Sequence, residues 1–392
     1  MAPARAGRPN PITLRKDLAR ALKRGHPWVF REAVERPPAL ASGTLVEVRG
    51  RDARRLAVGF WDARSPIAVR VLGPGPLPDP GAVVRARLRA ALRMRLERLD
   101  RRRTTAFRWV HGEADRLPGI HVDLYDDVAV VRFDGDGAEA FYRDVGPLLA
   151  EVAAPLSVRA VIDRRRGTRL FGRGAAAERV VLENGLRFEV SPGRGGKGGL
   201  YLDQRENREE VERRARGRSV LNLFGYTGGF ALYAARGGAR STDTVDLARP
   251  ALAAARRNFE RNGLSDGRAG FHAADAFEFL QAAASRGGRW DFVVSDPPSF
   301  APRQSAREGA RRAYTCLHRA AAAVTAPGGL LCAASCSSHF GREEFLATVE
   351  AGARAAGRRF ALIEIRGAGF DHPSLAAFPE GDYLKFAMGT LR

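Results

Sequence analysis

Along the first seventy residues, apolar positions alternate with polar ones in short runs. Residues 43–50 read Gly-Thr-Leu-Val-Glu-Val-Arg-Gly, residues 55–60 Arg-Leu-Ala-Val-Gly-Phe, and residues 67–72 Ile-Ala-Val-Arg-Val-Leu. A period of two broken by turn residues predicts a small, mostly β domain over residues 1–76. Four prolines within residues 73–81 interrupt the pattern. Each lacks a backbone donor and fixes its own φ, so neither a ladder nor a helix continues and a stiff linker is expected. Beyond it the period lengthens: Val84, Leu88, Leu92, Leu96 and Leu99 recur at helical spacing with arginines on the other faces, which predicts a helix over residues 82–103. Strand-like runs at 121–125, 128–133 and 158–162 complete a small α+β module, residues 82–190.

From residue 217 onward, strand-like segments at 219–224, 242–246, 291–296 and 329–335 alternate with helical stretches. The stretch 250–262 carries Pro250 early and Gly263 just past its end, the start and stop asymmetry of a helix. The rhythm predicts a doubly wound parallel sheet, so residues 191–392 are expected to form a Rossmann-like α/β domain.

Composition sets limits on the class. The 392 residues are 45% hydrophobic and 28% charged, the balance of a chain that buries cores and not of a disordered tail. No run approaches the ~18 consecutive apolar residues that span a bilayer, and the first ten residues lack the apolar core of a secretory signal. A cytoplasmic protein with no membrane association is expected. Cys316, Cys332 and Cys336 are too few and too odd in number for a disulfide framework, and their spacing without a His pair is not a zinc pattern. The seven histidines are scattered, so no metal is expected. The net charge is +21, and only Lys16, Lys23, Lys197 and Lys385 among the 65 basic residues are lysine. Biased base composition in a genome produces such arginine enrichment as readily as function does. The positive field nevertheless attracts polyanions, of which nucleic acid is the commonest.

Ligands of an open α/β sheet bind beyond the carboxyl ends of its strands, so those ends carry the candidate chemistry. After the first comes Asn222-Leu-Phe-Gly-Tyr-Thr-Gly-Gly229, where Gly225, Gly228 and Gly229 permit a tight turn and the helix start offers free N–H donors. The spacing is not G-x-G-x-x-G, and both a nucleotide-like cofactor site and a plain βα turn fit it. After the second comes Asp246, placed where the ribose hydroxyls of an adenosine cofactor would be bound and far from Pro250 for a direct helix cap. Asp275 could reach an adenine amino group, and capping the next helix explains it equally well. Ser295-Asp-Pro-Pro-Ser-Phe300 fixes a rigid, exposed loop in which backbone carbonyls and the Asp296 carboxylate can face a planar, amino-bearing ring.

With Tyr201-Leu-Asp-Gln-Arg205, Ser335-Cys-Ser337, Asp371-His-Pro373, Phe378-Pro-Glu-Gly381 and Tyr383-Leu-Lys385, these motifs make the chain resemble class I methyltransferases that use S-adenosylmethionine. More closely it resembles the bacterial ribosomal RNA large-subunit methyltransferases of the RlmI type, which make 5-methylcytosine. Residues 1–76 look like a PUA domain, a small β-rich RNA-binding fold, and His111-Gly-Glu-Ala-Asp115 with Leu117-Pro-Gly119 resembles the family's middle module. The resemblance covers nearly the whole chain. It implies S-adenosylmethionine as cofactor and ribosomal RNA as partner. The 222–229 loop, with Asn222, Phe224, Gly225, Gly228 and Gly229, would hold the methionine part of the cofactor. Asp246 with Leu247 would hold the ribose, Asp275 with Ala276 the adenine edge, and Tyr201 and Gln204 would line the pocket. One departure is the run Gly193-Arg-Gly-Gly-Lys-Gly-Gly199, where relatives more often carry Lys-Thr-Gly, so Lys197 has no assigned role. A homodimer is compatible with the chain, whose sequence does not fix an oligomeric state.

Carbon 5 of cytosine is not nucleophilic until a thiolate adds to carbon 6; after methyl transfer the carbon-5 proton leaves and the thiol is eliminated. Cys336, just past the strand 329–335, is the expected nucleophile. Asp296 would accept a hydrogen bond from the cytosine amino group or stabilise a proton on the ring nitrogen. Cys332, inside that strand, and Cys316, in an Ala-rich helical run, are both expected in the core. The base that takes the carbon-5 proton is not evident, and Ser299 stands where some other RNA 5-methylcytosine enzymes carry a second Cys. Arg85, Arg87, Arg89, Arg93, Arg95, Arg98, Arg101, Arg102 and Arg103, with Arg164-Arg-Arg166, are candidates to neutralise phosphates. The target base must be splayed out, which favours free ribosomal RNA or an assembly intermediate. Two other readings remain: a guanine or exocyclic-amine methyltransferase of the same fold, which needs no cysteine, and a non-catalytic RNA-binding protein of ribosome assembly, which has no use for a cofactor pocket.

Overall fold

The computed structural model describes residues 9–36, 38–173, 178–193, 198–301 and 303–392. The chain packs as two compact units, one made of Met1–Val181, Ser191–Gly198 and Phe370–Gly381, the other of Leu182–Val190, Gly199–Gly369 and Asp382–Arg392.

The first unit opens with β1 (Asn10–Thr13), α1 (Ala19–Lys23), β2 (Trp28–Phe30), β3 (Leu45–Arg49), β4 (Arg55–Trp61) and β5 (Ile67–Gly73). The described strands form a sheet in the order β1-β3-β4-β5-β2, parallel only between β1 and β3. One face buries Ile12, Val29, Val46, Val48, Ala57 and Val69. Gly73 closes β5 and Pro80 opens α2 (Pro80–Leu96), so the proline-rich stretch is shared between them. Asp79 caps α2 by accepting from the Ala82 N–H at 2.9 Å. The helix stops at Leu96, short of the expected residue 103, and beyond it the Asp100 carboxylate takes the Arg102 N–H at 3.0 Å, which keeps the helix from resuming there.

A second sheet follows, built from β6 (Ala106–His111), β7 (Ile120–Tyr125), β8 (Val128–Phe133), β9 (Ala160–Asp163) and β10 (Arg169–Gly172) in the order β10-β9-β8-β7-β6, with α3 (Asp136–Phe141) and α4 (Val145–Val152) between β8 and β9. Val84, Leu88 and Leu92 of α2 share one buried cluster with Phe107, Trp109 and Val122, and with Phe60 and Leu72 of the first sheet. The two modules expected from the sequence thus share a core. A late segment of the chain joins them: the Asp371 carbonyl accepts from Arg95 at 2.7 Å, its carboxylate accepts from the Arg108 N–H at 2.9 Å, and Phe378 packs on the Trp28 ring.

After β11 (Arg179–Glu183) and β12 (Leu186–Val190), which pair as a two-stranded sheet, the second unit alternates helices and strands. In chain order these are α5 (Arg205–Arg214), β13 (Ser219–Leu223), α6 (Gly229–Arg236), β14 (Ser241–Asp246), α7 (Arg249–Arg261), β15 (Ala269–Ala273) and α8 (Ala276–Ser285). Next come β16 (Trp290–Ser295), α9 (Arg307–Val324), β17 (Thr325–Ser335), α10 (Arg342–Ala355), β18 (Phe360–Arg366) and β19 (Lys385–Leu391). The sheet order is β15-β14-β13-β16-β17-β19-β18. Successive residues of each central strand face opposite cores. Leu221, Val293, Leu331 and Ala333 pack with α8, α9 and α10, whereas Val220, Phe292, Val294, Leu330 and Cys332 pack with α5 and α6. Burial on both faces is why these strands read as continuous apolar runs. The fold is therefore the expected doubly wound α/β sheet, with one correction: β19 runs antiparallel to β17 and β18. No crossover helix separates β18 from β19, and a strand that returns without one runs back antiparallel. Among the described residues no helix is long and apolar enough to cross a membrane.

Candidate active site

Register aligns the carboxyl ends of the central strands, pairing Leu223 with Ser295 and Ser295 with Ala333. The loop leaving β13 is the most constrained part of this edge. Phe224 and Tyr226 both take left-handed backbone conformations, with φ of 54° and 48°. Such conformations cost aromatic residues about 1–3 kcal/mol each and persist only where the surroundings impose them. Here the Asp246 Oδ2 accepts from the Tyr226 N–H at 2.8 Å, the Val245 carbonyl accepts from the Gly225 N–H at 2.9 Å, and Gly225 lies so close to β14 that a Cβ would sit 2.4 Å from Thr244 Cγ2. Gly228, with φ of 78°, then turns the chain into α6. Beneath the loop Asn222 is buried with neither amide atom partnered among the described residues, and the Thr244 and Ser295 hydroxyls share that state. Asn222 and Thr244 are register partners and share one face of the sheet, whereas Ser295, paired with Leu223, faces the other. Buried polar groups are normally satisfied, so the unpaired Asn222 and Thr244 mark a place for a ligand's polar atoms.

Asp246 does not cap a helix; its Oδ1 accepts from the Ala248 N–H at 2.8 Å, so both oxygens brace turns and each keeps a lone pair. Leu247 beside it is 70% exposed, an apolar surface in water at the strand end. Asp275 is the N-cap of α8, accepting from Phe277 and Glu278, and Ala276 is buried as its first residue. Tyr201 packs its ring on Tyr226 at 5.5 Å, and Tyr226 in turn accepts from the Gly199 N–H at 3.1 Å.

Asp296 follows β16 directly, and its Oδ2 accepts from Gln204 Nε2 at 3.0 Å. Gln204 is itself oriented by Asn207, which donates to its Oε1 at 2.6 Å and to the Gly367 carbonyl at 3.1 Å. Cys336 follows β17 at the next strand end and is half-buried. Burial pushes its thiol up to about 11, Asp296 and then Asp203 push the same way, and a backbone hydrogen bond and Lys385 oppose them. A chain of hydroxyls links the two loops: Ser299 to Ser337 at 2.9 Å, Ser337 to Tyr314 at 3.1 Å, and Tyr314 to Ser335 at 2.8 Å. Sequence patterning had given no role to Asn207, Tyr226, Tyr314 or Lys385, whose positions depend on pairings far apart in the chain.

Two expectations need correction. Cys332 is fully buried as expected, but Cys316 is exposed, because α9 turns Ala310, Tyr314 and Leu317 inward and Cys316 to the other side. The arginine cluster is not a uniform phosphate-binding face. Arg95 is fully buried and grips Asp115 with two bonds of 2.6 and 2.8 Å, and Arg87 donates to the Leu72 and Arg116 carbonyls. Arg85 and Arg89 share Glu151, while Arg164 and Arg166 pair with Asp123 and Glu139. Arg93, Arg98, Arg102 and Arg103 stay exposed. The histidines also gather more than their spacing suggested. His121 joins Glu113 and Asp134 in a group whose ligand atoms lie within 4.8 Å, but Glu113 is engaged by Arg70 and by Trp28 Nε1, as in an ion-pair network. Lys197 lies outside the described residues.

Residues 169–367 match the family model of S-adenosylmethionine-dependent methyltransferases, and residues 12–74 that of PUA-like domains. The chain is 38% identical over 382 residues to a ribosomal RNA large subunit methyltransferase of Deinococcus radiodurans, covering 93% of each chain. It is 36% identical to ribosomal RNA large subunit methyltransferase I of Shewanella denitrificans, covering 95% of this chain and 97% of the relative. Among solved structures it superposes on a SAM-dependent methyltransferase assigned in Streptococcus mutans, with TM-score 0.85, 21% identity and 97% and 100% coverage. It superposes equally on a methyltransferase complexed with SAH, with TM-score 0.84, 22% identity and 97% and 99% coverage. A sheet of this order, with its loops at the carboxyl edge and these matches, defines an S-adenosylmethionine-dependent methyltransferase. The chain belongs to the ribosomal RNA large-subunit methyltransferase family.

The residues present fit the cofactor. Asn222 offers an unpaired amide, the 224–229 turn a strained backbone with Gly225 where a Cβ would collide, and Asp246 a carboxylate with spare lone pairs for hydroxyls.

Proposed function

We propose that this protein methylates carbon 5 of a cytosine in large-subunit ribosomal RNA, with Cys336 as the nucleophile that forms a transient adduct. The observation that carries the proposal is the placement of Asp296 and Cys336 at neighbouring strand ends, close enough for the carboxylate to raise the thiol. S-adenosylmethionine supplies, when bound, a methyl group made electrophilic by its sulfonium. Asn222, Phe224, Gly225, Gly228 and Gly229 would hold its methionine part, Asp246 and Leu247 the ribose side, Asp275 and Ala276 the adenine edge, with Tyr201 and Gln204 lining the pocket.

The Cys336 thiolate adds to carbon 6 and moves electron density to carbon 5; once carbon 5 is methylated its proton leaves and the carbon–sulfur bond breaks. Asp296 accepts from the cytosine amino group or stabilises a proton on the ring nitrogen, and that proton neutralises the negative charge that the added thiolate pushes onto the ring. Burial is the main cause that keeps Cys336 protonated and the Asp296 charge adds to it; a base that engages Asp296 offsets that second contribution. The PUA-like domain, residues 12–74, would grip RNA, and we infer a cytoplasmic location where ribosomal RNA is met free or during assembly.

Incubation with tritiated S-adenosylmethionine and unmodified large-subunit ribosomal RNA, followed by digestion to nucleosides, tests this directly. Label should appear in 5-methylcytidine and vanish in Cys336→Ala, with cofactor binding intact. Label in a guanosine that survives Cys336→Ala would mean an exocyclic-amine or guanine methyltransferase, and absence of cofactor binding would mean a pure RNA binder.

A further inference from the structure

Lys385 opens β19, and the cofactor loops do not use it. It is 2% exposed, its Nζ donates to the Ser337 carbonyl at 2.6 Å and to the Tyr383 carbonyl at 2.8 Å, and strand register sets it opposite Ser335. Lys385 is thus tied to the backbone on both sides of Cys336. The choice of residue is itself informative, since this chain has four lysines among 65 basic residues. A guanidinium stays charged under all conditions and suits planar acceptors, whereas a lysine ammonium is compact and changes its protonation when desolvated. A buried cation here with the properties of lysine, in a chain that otherwise favours arginine, points to a requirement for an adjustable point charge.

We propose that Lys385 is the positioning residue for Cys336, holding the sulfur at the strand end through Ser337 and setting the thiol's ionisation through its ammonium charge. The assignment rests on Cys336 being the nucleophile. The electrostatics agree. Burial pulls Lys385 down to about 8, Cys336 and Asp382 pull it up, and Arg342 lowers it. Around Cys336 stand Asp296, Asp203 and the phenols of Tyr201 and Tyr314, none of which offers a positive charge. Burial places the lysine below the thiol, so of the two forms that have lost one proton, thiolate with ammonium is the minor one in the free protein, and it is the form that attacks.

The test reads the ionisation of Cys336 rather than turnover. In a Cys316→Ser background, which removes the exposed thiol, the rate of Cys336 carboxamidomethylation by iodoacetamide is followed against pH by peptide mass spectrometry. Lys385→Met should shift the profile upward by about one unit and slow alkylation at pH 8 about tenfold, while Lys385→Arg, which keeps a charge, should restore much of the rate. An unshifted Lys385→Met profile would overturn the proposal. Should Lys385→Met fail to fold, 13C-lysine labelling of the native-lysine protein serves instead, since only four ε-methylene signals exist. Cys336→Ser should lower the titration midpoint of Lys385, and an unchanged midpoint would equally overturn the proposal. A Cys336→Ala protein that still methylates RNA would remove the nucleophile assignment, and would do so whatever the alkylation profile shows.

Discussion

Asp296 faces two demands that pull in opposite directions. Its carboxylate is the acceptor for the target ring, yet, after burial, it also raises the Cys336 thiol and so disfavours the thiolate that must attack. Asp296→Asn separates the two. The amide keeps the shape and the bond to Gln204, since either amide group can turn to suit the other. It removes the charge, so Cys336 should ionise at lower pH and alkylate faster in the free protein. Turnover should nevertheless fall by about 10²–10³-fold, as when one preorganised charge-stabilising contact is lost. Faster alkylation with slower methylation, measured on the same preparation, is the expected pair of results; slower alkylation would contradict the assigned electrostatics. The positions of Asp296 and Cys336 were legible in the sequence because each directly follows an apolar strand. Lys385 had no such local signal. Its placement depends on β19 lying antiparallel beside β17, a pairing between residues fifty positions apart.

At the scale of elements, the β13–α6 turn is where sequence pattern and geometry meet. Gly225 was expected to allow a tight turn, and the turn brings it close against Thr244 on the neighbouring strand. Gly225→Ala should therefore push the turn off β14, disturb the bond between the Tyr226 N–H and Asp246, and weaken S-adenosylhomocysteine binding by tenfold or more, as read by isothermal titration calorimetry. The fold should survive, since the core strands do not depend on the turn; loss of the cooperative thermal transition would mean that the turn is structural. The strands β3, β4, β5, β7, β8, β9, β13, β14, β16 and β17 were legible because both periods, two for the half-buried β domain and continuous apolar runs for the doubly buried sheet, follow from which faces are covered, whereas β1, β2, β6, β10, β11, β12, β15, β18 and β19 carry no such pattern of their own. The end of α2 was not legible either. Leu99 continues the helical spacing, still packs against the core and keeps a bond from its N–H to the Arg95 carbonyl at 3.0 Å, yet it lies past the helix end at Leu96.

At the scale of the whole molecule, the net charge of +21 overstates the surface available to RNA. Arg95 and Asp115 form a buried pair that also anchors Asp371, Arg108 is bound to Asp123, and Arg208 to Glu183, so a good part of the arginine content is spent on ion pairs inside each unit. None of this was readable from charge counts, because the partners come from distant positions, and the return of residues 370–381 to the first unit has no local signature. Exposed arginines also present charge to solvent, among them Arg102, whose guanidinium meets Asp100 at 3.2 Å, and Arg103, both of which follow α2. Each phosphate contact releases counterions, so the logarithm of affinity should fall with the logarithm of salt at a slope of about 0.7–0.9 per contact. Replacing Arg102 and Arg103 together by Glu should weaken binding of large-subunit ribosomal RNA, flatten that slope by about one to two units, and leave S-adenosylhomocysteine affinity unchanged. Fluorescence anisotropy with labelled RNA fragments across a salt series gives both numbers. A slope equal to that of the unsubstituted protein would show these two arginines to be a solvated face, and would move the search for the phosphate contacts to the PUA-like domain.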